Sequence, residues 1–362
     1  MFVHLDRPSE QQGKNMNLLE FLGVSNVIFL APMGGGAGTP ELAAAVSIAG
    51  GLGSLGGAYL TPEQLGDAIR RARSLTERPF GVNLFAGGYE TDERRNPQPM
   101  LSALAGIHES LGIPPPVLPN TQTNPFDEQL EVVLKERPAV FSFTFGIPEE
   151  RAMTRIKERG IRTFGTATTA DEAVMLERSG VDAIVAQGAE AGAHRGTFAH
   201  PFEQAMVPTL DLVAAIHRKV SVPVIASGGL MDGRDISRSL KCGASAAQLG
   251  TAFLPCPESN ASAAWKRAIL EASSDSTVIT RAFSGRPARG LANRFTTMFA
   301  EREKDILPFP LQNSLTRPMR GAAARLDRPE FLSLWAGQGV ARARSMPAMQ
   351  LVQTLLDEIE RA

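Results

Sequence analysis

The sequence predicts an α/β fold, a (β/α)8 barrel of the TIM type, and three observations support this prediction. Eight short, continuous apolar runs recur along the chain, as expected of strands that helices cover on both faces. Helical patterns follow most of them, and this alternation implies parallel strands with right-handed crossovers. Eight strands close a barrel, whereas an open doubly wound sheet usually has fewer. The predicted strands are Val27–Ala31, Gly53–Gly57, Phe80–Asn83, Ala139–Phe143, Thr163–Thr166, Ala183–Ala186, Val224–Ala226 and Ala246–Leu249.

Helical segments fill the gaps between these strands. Two of them begin with a threonine followed by a proline, Thr39-Pro40 and Thr61-Pro62, which is typical of a helix N-cap and first helical position. The predicted helices are Pro40–Ala49, Thr61–Leu75, Pro148–Arg159, Thr169–Ser179, Pro208–Lys219 and Gly233–Cys242.

Two segments do not fit the bare barrel. Residues 84–138 are rich in proline, asparagine and glycine and are too long for one crossover, so we predict an insertion at the active end of the barrel. Residues 255–362 are predicted to be mainly helical, with a loop at Ser284–Arg294, and to cover the barrel mouth and complete its outer layer. The barrel then spans 16–254, and the polar residues 1–15 are predicted to be a disordered extension.

The composition narrows the function class. Hydrophobic residues make up 43% of the 362, enough for a large core, and 37 basic residues balance 38 acidic ones. This balance argues against a nucleic-acid footprint or a charged membrane surface. Cys242 and Cys256 lack the spacing of a metal site, no metal-binding cluster is seen, and no apolar run is long enough to span a membrane. Without a signal-peptide apolar segment, we expect a cytoplasmic protein.

The loop after the first strand is rich in glycine, Met33–Gly38. A dinucleotide-binding loop is excluded because Glu41 stands where its third glycine would be. In addition, Gly56-Gly57 stands where an acidic residue would bind ribose. Two interpretations remain: the glycines allow a tight turn, or they let the backbone approach a flat ring closely.

Glycines also follow the seventh and eighth strands. TIM barrels often bind phosphate with these two loops, because glycine exposes backbone N–H groups and a helix N-terminus adds positive potential. We therefore predict a phosphate site there. The residues assigned to it are Ser227, Gly228, Gly229, Gln248, Leu249, Gly250 and Thr251.

The loop after the sixth strand, Gln187–Gly196, concentrates polar and small residues at the barrel mouth. His194 in this loop is one of only five histidines. It is the candidate catalytic residue, since it could donate a hydrogen bond to a substrate anion or to a reduced cofactor. Glu190 and Arg195 are left unassigned, because they could pair with each other.

Taken in order, these motifs resemble the nitronate monooxygenase family, formerly called 2-nitropropane dioxygenases, from Leu18 to the C-terminus. The resemblance implies an FMN-dependent TIM barrel that oxidises alkyl nitronates, such as propionate 3-nitronate, with O2. It also implies that Pro32, Met33, Asn83, Gln187 and Gly192 lie at the flavin, with the phosphate on Gly229 and the run Gln248–Thr251. The motifs that carry it are Ala31-Pro32-Met33, Gly81-Val82-Asn83, Gln187–Gly196, Ala226–Gly229 and Gln248–Thr251.

One position departs from the family pattern. Many members read Ser-Phe-His-Phe-Gly after the fourth strand, with the histidine near the substrate, but this chain has Thr144 there. Threonine cannot act as a base near neutral pH, so proton abstraction from a neutral nitroalkane should be lost or weak. An anionic nitronate needs no such base. Thr144 therefore indicates either a preference for nitronates or a different substrate.

Two other functions stay open. The same loops occur in NAD(P)H-dependent flavin reductases of the enoyl-ACP reductase II and quinone reductase type, and loss of the fourth-strand histidine could also indicate a non-catalytic flavin-binding protein. The expected partners are a small nitronate and O2, without nucleic acid or membrane, and a homodimer is a possible assembly.

Overall fold

Eight parallel strands form the barrel in the computed structural model, which describes residues 17–89, 95–119 and 124–362. The predicted extension at 1–15 lies outside the described residues. The strands in chain order are β1 (Ile28–Leu30), β2 (Gly53–Gly56), β3 (Phe80–Phe85), β4 (Val140–Thr144), β5 (Arg162–Ala167), β6 (Ala183–Gln187), β7 (Ala193–His194), β8 (Val224–Ser227), β9 (Ala246–Leu249), β10 (Thr277–Thr280) and β11 (Ala288–Leu291).

The barrel strands are β1–β6, β8 and β9, and they pair in the order β1-β9-β8-β6-β5-β4-β3-β2. A parallel bridge between Phe29 and Leu52 joins β1 to the start of β2 and closes the ring. Each predicted strand is present with its ends within two residues. The predicted (β/α)8 barrel is therefore confirmed.

The helices cover the outside of this barrel and extend over one end. All six predicted helices are present, again within two residues at each end. Thr39 and Thr61 cap α2 and α3 as predicted, each accepting a hydrogen bond from a first-turn backbone N–H. The helices are α1 (Leu18–Leu22), α2 (Pro40–Ile48), α3 (Pro62–Leu75), α4 (Gln98–Ser110), α5 (Phe126–Glu136), α6 (Glu150–Glu158), α7 (Ala170–Arg178), α8 (Thr209–Lys219), α9 (Gly233–Lys241), α10 (Ala263–Leu270), α11 (Arg294–Met298), α12 (Leu311–Arg325) and α13 (Ala348–Glu360).

Alternation along the strands separates two cores. Phe29 and Ile225 belong to a cluster that fills the barrel interior, whereas their neighbours Ile28 and Val224 pack outward in the layer under the helices. Helix α1 adds its buried leucines to the interior cluster. The interior of the barrel is thus packed, and the open end with its loops is left for chemistry.

The insertion between β3 and β4 contributes to two layers. Helix α5 packs against α3 and β3 in the outer layer of the barrel. Helix α4 instead buries Met100 and Leu104 in a second core together with Phe283 and Phe295 of the C-terminal segment. The insertion and the C-terminal segment thereby share one core, separate from the core of the barrel.

The C-terminal segment contains two strands, β10 and β11, in addition to helices. Helix α13 packs against α2 and α9 in the outer layer. The predicted loop at Ser284–Arg294 is wrong in part, because β11 runs through it and pairs with both β10 and β7. The strand was missed because Ala288–Leu291 is buried along its whole length and shows no apolar–polar alternation. No helix in the described part of the chain is long and apolar enough to cross a membrane.

Candidate active site

The C-terminal ends of the barrel strands enclose a cavity that extends under the C-terminal segment. All of the residues assigned to the site from sequence line this one cavity, although they come from the ends of six barrel strands and the loops that follow them. They are Pro32, Met33, Asn83, Thr144, Gln187, Gly192, His194, Ser227, Gly228, Gly229, Gln248, Leu249, Gly250 and Thr251.

The loops after β8 and β9 present backbone donors to the cavity. Gly228, Gly229, Gly250 and Thr251 have no acceptor for their N–H groups among the described residues. Gly228 and Gly229 have φ values of +131° and +69°, which non-glycine residues rarely adopt. Two of these free N–H groups lie just before helix α9 and two lie after β9, and together they form a cradle suited to an anion such as a phosphate.

The C-terminal segment closes over this cradle. Thr251 Oγ1 accepts a hydrogen bond from Gly337 N at 2.9 Å, which leaves the hydroxyl proton free for an anion. A Cβ on Gly192 would stand 2.7 Å from the carbonyl carbon of Ala336. Gly192 therefore lines the cavity and also allows the backbone of the β6 loop to pack closely against that of the C-terminal segment.

His194 also lines the cavity, on the loop after β6. Its Nε2 is 2.8 Å from Ser284 Oγ, and its ring lies between the aromatic rings of Phe145, Phe309 and Trp335. Burial, and then the positive charges of Arg286 and Arg320, lower the pKa of His194 to about 3. The imidazole is therefore neutral at physiological pH.

Three side chains fix the loop that carries His194. Gln187 uses both ends of its amide within the loop, since its Nε2 donates to His194 O and its Oε1 accepts from Gly196 N. Arg195 is fully buried and donates to the carbonyl oxygens of residues 187, 188 and 205. Glu190 accepts hydrogen bonds from Thr209. Glu190 and Arg195 thus do not hydrogen-bond to each other. Arg195 holds the loop backbone, whereas Glu190 joins the loop to the start of helix α8.

The strand ends opposite His194 carry small polar groups. Asn83 Nδ2 donates to Ser142 Oγ at 2.9 Å, which leaves the Asn83 carbonyl oxygen as an acceptor. Thr144 Oγ1 lies 3.3 Å from Thr166 Oγ1. Since hydroxyl groups do not titrate near neutral pH, this pair offers hydrogen bonds and no base.

Several cavity residues escaped the sequence prediction. Tyr59 follows β2, and Asn313 and Arg320 lie on α12. Ser284, which precedes β11, does not line the cavity but contacts His194 from behind it. Arg320 is one of many arginines in the chain, and no motif marks it. Only the path of the C-terminal segment over the barrel mouth brings Ser284, Asn313 and Arg320 to the site. Within the residues that the structure covers, no group of three or more His, Cys, Asp and Glu side chains could hold a metal ion.

Known proteins match nearly the whole chain. The family model described as nitronate monooxygenase matches residues 15–358. A probable nitronate monooxygenase of Staphylococcus aureus (strain MSSA476) is 41% identical over 343 residues, which are 94% of this chain and 96% of the relative.

Solved structures also superpose on nearly the whole chain. A nitroalkane oxidase from Streptomyces ansochromogenes superposes with a TM-score of 0.87 at 39% identity, covering 95% of this chain and 98% of its own. FabK from Thermotoga maritima superposes with a TM-score of 0.74 at 30% identity, covering 95% and 96% of the two chains. The resemblance inferred from the motifs is therefore confirmed.

Proposed function

Because the chain belongs to the nitronate monooxygenase family, we propose that it binds FMN and oxidises alkyl nitronates with O2. The observation that carries this proposal is the joint placement of two features in one cavity. Free backbone donors follow β8 and β9, and a neutral histidine faces the same space from the β6 loop. An anionic cofactor end and a reacting group could therefore occupy one site.

The residues present fit FMN. The N–H groups of Gly228, Gly229, Gly250 and Thr251 would hold its phosphate, and three of these four residues are glycines that add no side chain to the cradle. Met33 and the free side-chain carbonyl oxygen of Asn83 would lie along the ring system. When bound, FMN supplies the chemistry of accepting electrons from the substrate and passing them to O2.

The protonation states favour a preformed nitronate over a neutral nitroalkane. His194, with a pKa of about 3, is a weak base toward a carbon acid, and Thr144 offers none. Neutral His194 would instead donate or accept one hydrogen bond at the substrate, while its Nε2 stays on Ser284. The chain would thus bind and orient an anion that is already deprotonated.

Oxygen uptake tests the proposal directly. FMN-bound protein should consume O2 with a panel of alkyl nitronates, and omission of NADPH should make no difference. The nitronates should bleach the flavin when oxygen is removed. Absence of both flavin reduction and oxygen uptake with every nitronate of the panel would refute the proposed activity.

A second candidate rests on the similarity to FabK at 30% identity. On this alternative the protein is an NAD(P)H-dependent flavin reductase. Anaerobic bleaching of the flavin by NADPH or NADH, with no response to nitronates, would favour it. Bleaching by nitronates alone would exclude it.

A further inference from the structure

The turn after β4 has an unfavourable backbone conformation. Phe145 has a φ of +70°, which bulky residues rarely adopt, and Ala193, just before His194, has a φ of +62°. Two other non-glycine residues of the described chain have positive φ, Arg137 and Asp327, and both lie at the end of a helix, where this conformation is common. Phe145 and Ala193 instead line the cavity of the candidate active site. Backbone strain at this place indicates a role in the site.

The ring of Phe145 is held by its neighbours. The guanidinium carbon of Arg286 lies over the ring, 3.9 Å from its centre, and the centre of the Phe85 ring is 4.6 Å away. The His194 ring meets it edge-on, with 6.1 Å between the ring centres. A Cβ on Gly87 would stand 2.5 Å from Phe145 O, so the loop after β3 packs directly against this residue. Phe145 is only 4% exposed, and its ring has little freedom to move aside for a bulky ligand.

Phe145 belongs to an aromatic wall of the cavity. Tyr59 lies after β2, Phe85 ends β3 and Phe145 follows β4. Their rings contact one another in that order, with centres 5.4 and 4.6 Å apart. Phe145 is the member of this wall whose ring meets that of His194. On the proposed function the nitronate group lies at His194, so the group attached to the reacting carbon faces Phe145.

A smaller residue would suit the backbone at position 145 better. Glycine adopts a φ of +70° without strain, whereas phenylalanine does not. The phenylalanine ring fills the space beside His194 that a substituent of the substrate would otherwise enter. Truncation of a buried phenylalanine leaves an apolar cavity, and such a cavity can accept another benzene ring. The ring thus limits the size of a group bound at this point.

We propose that Phe145 determines substrate specificity by limiting the size of the group on the reacting carbon of the nitronate. This inference rests on the proposed function, because it names which nitronates the site accepts. A small alkyl group fits beside the ring, whereas an aryl group on the reacting carbon would overlap with it. The contacts with Arg286 and Phe85 keep this limit in place.

Two nitronates that differ in this group test the assignment. Ethyl nitronate and the nitronate of phenylnitromethane carry a methyl and a phenyl group on the reacting carbon. Phe145→Ala should raise the phenyl-to-methyl ratio of kcat/KM at least about tenfold, because the substrate ring fills the vacated space. Phe145→Gly should do the same at a φ that suits glycine, so the test does not depend on the folding of the alanine variant. Phe126→Ala, which removes another buried ring from helix α5 in the outer layer, is the matched control and should leave the ratio unchanged.

An unchanged ratio in FMN-bound Phe145→Ala or Phe145→Gly, or equal kcat/KM for both nitronates in the wild type, would overturn the assignment. A binding measurement tests it apart from turnover. Propionate and phenylacetate have the heavy-atom skeletons of the two nitronates, with a carboxylate in place of the nitronate group. In calorimetry on the FMN-bound protein, Phe145→Ala should tighten the binding of phenylacetate at least about tenfold more than that of propionate. If wild type oxidises no nitronate but the variant gains phenylacetate binding, the proposed function fails and the size limit at Phe145 stands. Unchanged phenylacetate binding in the variant refutes the size limit.

Discussion

The imidazole of His194 and the hydroxyl of Ser284 are joined at 2.8 Å, although 90 residues separate them in the chain. The same two regions are also paired as strands, since β7 and β11 lie antiparallel with His194 opposite Ala288. The C-terminal segment thus fixes both the backbone and the ring of the candidate catalytic residue. Positioning of this kind requires the whole chain and not the barrel alone.

Removal of the Ser284 hydroxyl should misplace the His194 ring. We expect Ser284→Ala to lower kcat for a nitronate by roughly two- to tenfold, the range expected for one hydrogen bond, while FMN affinity stays unchanged. The ¹⁵N shifts of the His194 imidazole should move, because Ser284 selects which ring nitrogen carries the proton. Ser314→Ala is the control, since the buried Ser314 hydroxyl has no partner to lose. An unchanged imidazole spectrum in Ser284→Ala would contradict this role.

The low pKa of His194 predicts how stability depends on pH. Its folded-state pKa of about 3 lies below the ordinary value of 6.5, so between these values the unfolded chain binds a proton that the folded chain does not. Stability should therefore fall as pH decreases from 6.5 toward 3. At pH 5 the contribution is at most about 2 kcal/mol, because part of the ring faces the cavity.

Urea unfolding of FMN-bound His194→Gln at pH 5 and pH 7.5 measures this contribution. The variant should lose less stability between the two pH values than the wild type does. His217→Gln, on an exposed part of α8, controls for the loss of an imidazole elsewhere. Equal pH dependence in wild type and His194→Gln would show that the ring is not held neutral by its surroundings.

His194→Ala separates a role in turnover from a role in cofactor binding. If His194 contacts the substrate, the variant should lose most of its nitronate oxidation while keeping FMN, because the phosphate cradle belongs to other loops. Flavin absorbance after gel filtration and oxygen uptake report the two properties. Loss of FMN on purification would instead assign the residue to the cofactor site.

The sequence predicted those features that depend on local patterns. Buried strands, capped helices and the glycines after β8 and β9 each have a short-range signal, because backbone geometry limits which residues fit. Arg320 and Ser284 have no such signal. Arg320 lines the cavity and Ser284 contacts His194 only because the segment after β9 folds back over the barrel mouth. Contacts between residues so far apart in the chain produce no periodic pattern in the sequence.

Introduction of a base at position 144 should extend the substrate range. Thr144 lines the cavity and its hydroxyl lies beside Thr166, so an imidazole at this position would face the same space. We expect Thr144→His to increase turnover of neutral nitroethane at least about tenfold, since a positioned general base typically contributes more than that. Thr144→Val, which removes the hydroxyl at similar volume, should show no gain. A folded, FMN-bound Thr144→His without any gain would contradict the placement of the substrate beside this strand end.

Substitution of Gly229 should weaken the phosphate cradle specifically. Its φ of +69° disfavours any side chain, and a Cβ there would stand 2.8 Å from Glu190 Cβ, so Gly229→Ala should shift the loop and its free N–H groups. We expect the Kd for FMN to rise at least about tenfold, whereas the Kd for riboflavin, which lacks the phosphate, should change much less. Gly106→Ala is the matched control because a Cβ at that position of α4 meets no atom within 4 Å. Fluorescence titration with both flavins measures the ratio of the two affinities. An equal loss for FMN and riboflavin would mean that the loop after β8 shapes the ring pocket and does not hold the phosphate.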